Sequence, residues 1–142
     1  MNKFAYLIVI FTALAINTSA QKKPAASVDP TKGVRQAFDR LIDGIKQVDA
    51  EKVAGTYEKS DRLLIFNNNG SATIGWENVK SNVESAYAKV SNVSIEVTGV
   101  RVEMLGKTGA YVSCKWKQTQ ENDGKLESAS GRMTLVFRLI GE

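Results

Sequence analysis

Histidine is absent from all 142 residues. Its absence removes the Ser-His and Cys-His nucleophile pairs and the commonest zinc ligand. Cysteine is nearly absent too. Cys114 stands alone, so no disulfide can close within one chain. Its neighbours alternate polar and apolar, which predicts a small buried side chain on a strand rather than a reactive thiol. The two prolines, Pro24 and Pro30, both precede the periodic part of the chain. Neither charge sign dominates, with 19 Lys and Arg against 15 Asp and Glu. Lys22, Lys23 and Lys32 share one short stretch, and no basic cluster interleaves with aromatics, so no nucleic-acid partner is expected. The carboxylates are scattered without ligand spacing, so no metal site is expected, and no cofactor is expected either.

The long apolar run lies at the start. Lys3 precedes Phe4–Ile16, interrupted only by Thr12, and Thr18-Ser19-Ala20 supplies small residues for cleavage. The run falls short of the roughly 20 residues a membrane span needs. This is the layout of a signal peptide over residues 1–20, cut before Gln21. No Cys follows the cut to carry a lipid anchor. We therefore expect an exported protein, periplasmic or secreted, with no membrane attachment after cleavage. Residues 21–31 (QKKPAASVDPT) hold both prolines and no periodicity, and read as a flexible linker. The folded domain is expected over residues 32–142.

Within it, Val34, Phe38, Leu41, Ile42, Ile45 and Val48 recur at helical spacing on one face. Gly44 sits inside this helix, where it costs about 1 kcal/mol relative to Ala, and leaves room for close approach by another element. Asp49 is placed to cap a shorter second helix bearing Val53, Ala54 and Tyr57. Leu63–Phe66 and Ser71–Ile74 read as short strands around the turn Asn67-Asn68-Asn69-Gly70. Gly75 precedes a third helix carrying Val79, Val83, Ala86 and Tyr87.

Strands follow. Val93, Ile95 and Val97 alternate with polar residues, and after Gly99 the phase slips to Val100, Val102 and Met104. A Gly at a phase slip predicts a β-bulge. Ala110, Val112, Cys114 and Trp116 form the inner set of the next strand. Asn122-Asp123-Gly124-Lys125 reads as a loop. The last strand carries Met133, Leu135, Phe137 and Leu139 on one face. Arg132, Thr134, Val136 and Arg138 lie on the other. The order α-α-β-β-α-β-β-β predicts an α+β fold.

In this order the chain resembles the SnoaL-like branch of the nuclear-transport-factor-2-like superfamily, which also contains ketosteroid isomerases. The resemblance rests on Asp49-Ala50-Glu51 leading to Tyr57, and on Leu64-Ile65-Phe66 with its Gly-containing turn. Gly75-Trp76-Glu77-Asn78-Val79, Val102–Gly106 with Ala110-Tyr111-Val112, and Gly131–Arg138 complete it. It implies a cone, with a strongly curved, mainly antiparallel sheet wrapped around the N-terminal helices and a pocket at the wide end. It also implies one further strand after the turn that Gly141 opens, lying inside the sheet beside the first hairpin. We therefore expect the domain at 32–142 to be C-terminally incomplete. The alternatives are a strand supplied by a partner and a reduced domain.

The aromatic residues Tyr57, Phe66, Trp76, Tyr87, Trp116 and Phe137 should converge on the cone interior, either as a ligand-pocket lining or as plain core. Trp76, at a helix entrance, is the foremost candidate for a pocket wall. Acid–base chemistry of the ketosteroid isomerase type needs an Asp base in an apolar pocket with oxyanion donors. Tyr57, Tyr87 and Tyr111 are donors in principle, and Asp39, Asp43 and Asp61 bases. None matches a catalytic motif, and Asp39 and Asp43 lie on a polar helix face. No catalytic residue is therefore assigned. Asn69-Gly70-Ser71 and Asn92-Val93-Ser94 fit the glycosylation pattern, a triplet that also arises by chance. The residues favour a non-enzymatic domain that binds a small apolar or amphipathic ligand, or that acts as a homodimeric module through its sheet. The alternative is an isomerase or cyclase of the same fold acting on a ring-shaped substrate.

Overall fold

The computed structural model describes residues 29–67 and 69–140. The expected leader, most of the linker and the turn at Gly141 lie outside them. The elements are α1 (Lys32–Gln47), α2 (Ala50–Ala54), β1 (Leu64–Phe66), β2 (Ala72–Ile74), α3 (Trp76–Tyr87), β3 (Val90–Leu105), β4 (Gly109–Asn122) and β5 (Lys125–Arg138). Both the α+β class and the order follow the sequence pattern.

The apolar stripe of α1 buries Phe38, Leu41 and Ile42. Val48 does not extend that stripe. It closes the helix in a left-handed conformation, at φ 55°. Its N–H donates to the Ile45 carbonyl at 3.2 Å, and the Asp49 N–H to that of Gly44 at 3.0 Å. Glycine usually fills this position, because a Cβ is crowded there. Asp49 then caps α2 as expected, accepting the Lys52 N–H on Oδ1 at 2.9 Å. Gly44 also serves the predicted role. A Cβ there would stand 2.8 Å from Val53 Cγ2 and 3.1 Å from the Val53 nitrogen.

β1 and β2 form an antiparallel hairpin, separate from the antiparallel meander β3-β4-β5. Gly70, at φ 82°, makes its turn. Thr73 on β2 is buried, and its Oγ1 accepts from Asn67 within the hairpin and from Asn82, which ties the hairpin to α3. Gly99 lies inside the register shift between Thr98 and Arg101, the predicted bulge. A second shift, between Ser91 and Ser94, surrounds Asn92 at φ 51°. It has no glycine to announce it.

The segment read as a loop is a tighter structure. Asn122 pairs with Lys125 across Asp123-Gly124, both at positive φ, as a two-residue hairpin turn requires. β4 and β5 therefore run 14 residues each. Leu126–Ser130 lack period-two apolar spacing, yet they pair with β4 in unbroken register. Leu139 leaves the last strand and is exposed, and Val100 is also exposed beside its bulge.

The core lies between α1 and the meander. Phe38 and Ile42 meet Ile95, Val112 and Cys114, with Trp116, Met133, Leu135 and Phe137 packed against them. Each large buried side chain contributes roughly 1.5–3 kcal/mol. Cys114 is a buried core residue, and burial pushes its thiol pKa up.

Candidate functional site

A cleft of about 930 Å³ lies between the first hairpin and β5. β1 supplies Leu64, Ile65 and Phe66 to it, and β5 supplies Arg132–Val136 and Arg138. The core side contributes Ile45 from α1, Ile95 from β3 and Trp116 from β4. These three come from separate elements, so packing alone brings them together. Tyr57, Glu58, Ser60, Arg62 and Leu63, from the segment between α2 and β1, complete the wall.

Along β5, Met133 and Leu135 turn toward the core while Arg132, Thr134, Val136 and Arg138 lie on the other face. The strand period of two produces this split. The cleft thus pairs an apolar interior with a basic rim. Glu58 is its one carboxylate among the described residues, and Arg138 holds it in an ion pair. Arg62 and Arg132 make no ion pair with described residues.

Of the six aromatic candidates, Tyr57, Phe66 and Trp116 line the cleft. Phe137 packs on the core instead. Trp76 and Tyr87 lie outside the lining. Trp76 joins α3 to α2, its indole N–H donating to the Ala54 carbonyl at 2.9 Å. Lys59 and Lys80 stand over its ring, 4.8 and 5.6 Å from the centroid. Burial raises the phenol pKa of Tyr57. Burial, helped by Tyr57 and Asp49, pushes Tyr87 up to about 12. Both phenols stay neutral near pH 7, as hydrogen-bonding groups rather than acids. Asp39, Asp43 and Asp61 are exposed and outside the cleft.

Sequence reasoning passed over Glu58, Arg62 and the Glu58–Arg138 pair. Glu58 and Arg138 are 80 positions apart, and no local pattern links them. No group of acidic, His or Cys residues among the described ones could hold a metal.

This layout of helices, hairpin and antiparallel meander around an open cleft defines an α+β fold of the nuclear-transport-factor-2-like type, open rather than closed into a barrel. Solved structures carry the comparison further. A nuclear transport factor 2-like superfamily protein from Salmonella enterica superposes with a TM-score of 0.70 at 16% identity, over 78% of this chain and 80% of that one. A ketosteroid isomerase-like protein from Erwinia carotovora gives 0.62 at 18% identity, over 74% and 80%. A protein of the same fold and unknown function from Shewanella oneidensis gives 0.61 at 16%, over 79% and 89%. At these identities the likeness shows the fold alone. No curated protein matches the sequence. The family is narrower than the fold: the SnoaL-like domain model matches residues 34–142, and the chain belongs to that family.

Proposed function

We propose that this domain binds a small amphipathic molecule in the cleft between the first hairpin and β5, without converting it. One observation carries the reading. The cleft joins an apolar interior, with Tyr57, Phe66 and Trp116, to a rim where Arg62 and Arg132 have no carboxylate partner among the described residues. A few polar groups around an apolar cavity is the usual make-up of a small-molecule site. The unpaired guanidinium groups favour a ligand with an anionic head. Acid–base turnover needs a free carboxyl beside a donor, whereas Glu58 is engaged by Arg138.

The test uses anilinonaphthalene sulfonate, an amphipathic anion, as the probe. In a Trp76→Phe background, Trp116 is the remaining tryptophan. Saturable binding of one probe per chain is expected, with energy transfer from Trp116. Phe66 is 76% exposed, so Phe66→Glu should keep the fold. It should weaken binding by about tenfold, the equivalent of roughly 1.4 kcal/mol. Unsaturable binding, or an unchanged affinity in Phe66→Glu, would reject the site. A Δ5-ketosteroid incubated with the protein should stay unconverted by ultraviolet absorbance. An isomerised product would replace this reading with the acid–base one.

A further inference from the structure

The turn of the first hairpin holds chemistry that the cleft does not use. Asn69-Gly70 is the one Asn-Gly pair in the sequence. Asn69, Gly70 and Ser71 are all exposed. The Asn69 carboxamide is nevertheless fixed. Its Oδ1 accepts the Ser71 N–H at 3.0 Å and the Ser71 hydroxyl at 2.7 Å. The bond from the backbone makes an Asx turn, which curls the side chain back along its own main chain. Asn67 Nδ2 donates to the same Ser71 Oγ at 3.0 Å, which turns the hydroxyl proton toward Asn69. Asn67 is itself anchored to the buried Thr73 by a bond of 3.1 Å. Two donors are thus already set on one carbonyl oxygen.

We propose that Asn69 is a self-modification site, at which the backbone nitrogen of Gly70 displaces the side-chain nitrogen of Asn69. The Gly70 nitrogen loses its proton to solvent base and attacks Asn69 Cγ. The new N–C bond closes an imide ring. The Cγ–Nδ2 bond breaks, and Nδ2 takes a proton from water and leaves as ammonia. Water then opens the imide. Attack at the Cγ carbonyl leaves an aspartate, and attack at the backbone carbonyl leaves an isoaspartyl link. Negative charge collects on Oδ1 in the tetrahedral intermediate, where the two Ser71 donors stand. Donors preset at such an oxygen lower the barrier. Gly70 has no Cβ to shield its nitrogen, and its φ of 82° suits glycine alone among common residues. Its N–H donates to the Asn67 carbonyl at 3.0 Å, a bond that must open first. An intramolecular bond of this kind has a modest net strength, because water can replace it. Asn92 is also exposed and at positive φ, but the β-branched Val93 follows it. An isoaspartyl link would add one carbon to the chain inside the turn that sets Phe66 opposite Ala72. The modified hairpin is therefore more acidic and looser at its tip, whatever the cleft binds.

The test incubates the intact protein at neutral pH in water enriched in heavy oxygen, followed by peptide mapping under acidic conditions. Residue 69 should gain the mass of an amide becoming an acid, together with one heavy oxygen. Ammonia should be released in equal amount, and aspartyl and isoaspartyl forms should both appear. Asn92 should stay an amide. Ser71→Ala removes the hydroxyl donor and should slow the reaction about fivefold, the equivalent of roughly 1 kcal/mol in the barrier. Ser71→Thr keeps the hydroxyl and should keep the rate. Asn69→Gln needs a larger ring and should stop it. In urea, where the turn is lost, Ser71→Ala and the unaltered protein should react alike. An amide retained at residue 69 would overturn the proposal, as would an equal rate in folded Ser71→Ala. A fivefold gap that persists in urea would place the effect in the local sequence and overturn the role of the turn. A glycan on Asn69 of the protein from its native host would also overturn it, because that linkage uses Nδ2.

Discussion

At the scale of single residues, position in the fold decides what each aromatic side chain does. Tyr57 and Tyr87 have the same phenol but different surroundings. Tyr57 lines the cleft, whereas Tyr87 lies outside it and is pushed up to about 12 by burial, Tyr57 and Asp49. The direction sets a pH dependence. A folded-state pKa above the unfolded value of 10.0 means the native state holds its proton more tightly. The stabilisation is complete below pH 10 and is lost as pH rises toward 12. Urea midpoints should therefore fall over that window, and Tyr87→Phe should flatten the fall. An equally steep loss in Tyr87→Phe would refute the assignment. Trp76 makes the complementary point. Its place at the start of a helix is plain in the sequence, but its bond to the Ala54 carbonyl is a contact across 22 residues.

At the scale of elements, helix pairing rests on Gly44. Glycine in a helix interior costs about 1 kcal/mol against alanine, so Gly44→Ala would stabilise an isolated α1. In the folded chain the new Cβ would meet Val53 at 2.8 Å, a contact that forces α2 to move. Overpacking of this kind costs typically 1–3 kcal/mol. The second effect should win, lowering the denaturant midpoint, and Val53→Ala in the same chain should recover part of the loss. A more stable Gly44→Ala would show that α2 gives way freely. Much at this scale was legible in advance. The stripe on α1, the Asp49 cap and the Gly99 bulge each depend on neighbours in sequence. The Asn92 bulge and the first half of β5 were not legible, because long-range pairing with β4 imposes them. Leu126–Ser130 have weak strand character of their own, but the Asp123-Gly124 turn fixes their register against β4. Val48 shows the same limit: its hydrophobicity fits the stripe, while the chain reversal into Asp49 takes its backbone out of the helix.

At the scale of the whole molecule, the chain combines a leader-like start with one SnoaL-like domain over residues 34–142. No helix among the described residues is long and apolar enough to cross a membrane. We propose export with cleavage before Gln21. Intact mass of the protein recovered from its native host should correspond to a mature chain starting there, and retention of Met1–Ala20 would refute it. The sequence by itself determined the α+β class, the element order and the family resemblance, because periodicity, caps and turns are written in adjacent residues. Histidine is absent from these 142 residues, so no His pair forms among them. Tertiary structure alone decided which aromatics face the cleft, that Arg138 neutralises Glu58, and that β1 and β5 line one cleft. Those outcomes depend on residues brought together from distant parts of the chain, where packing and backbone pairing select the neighbours.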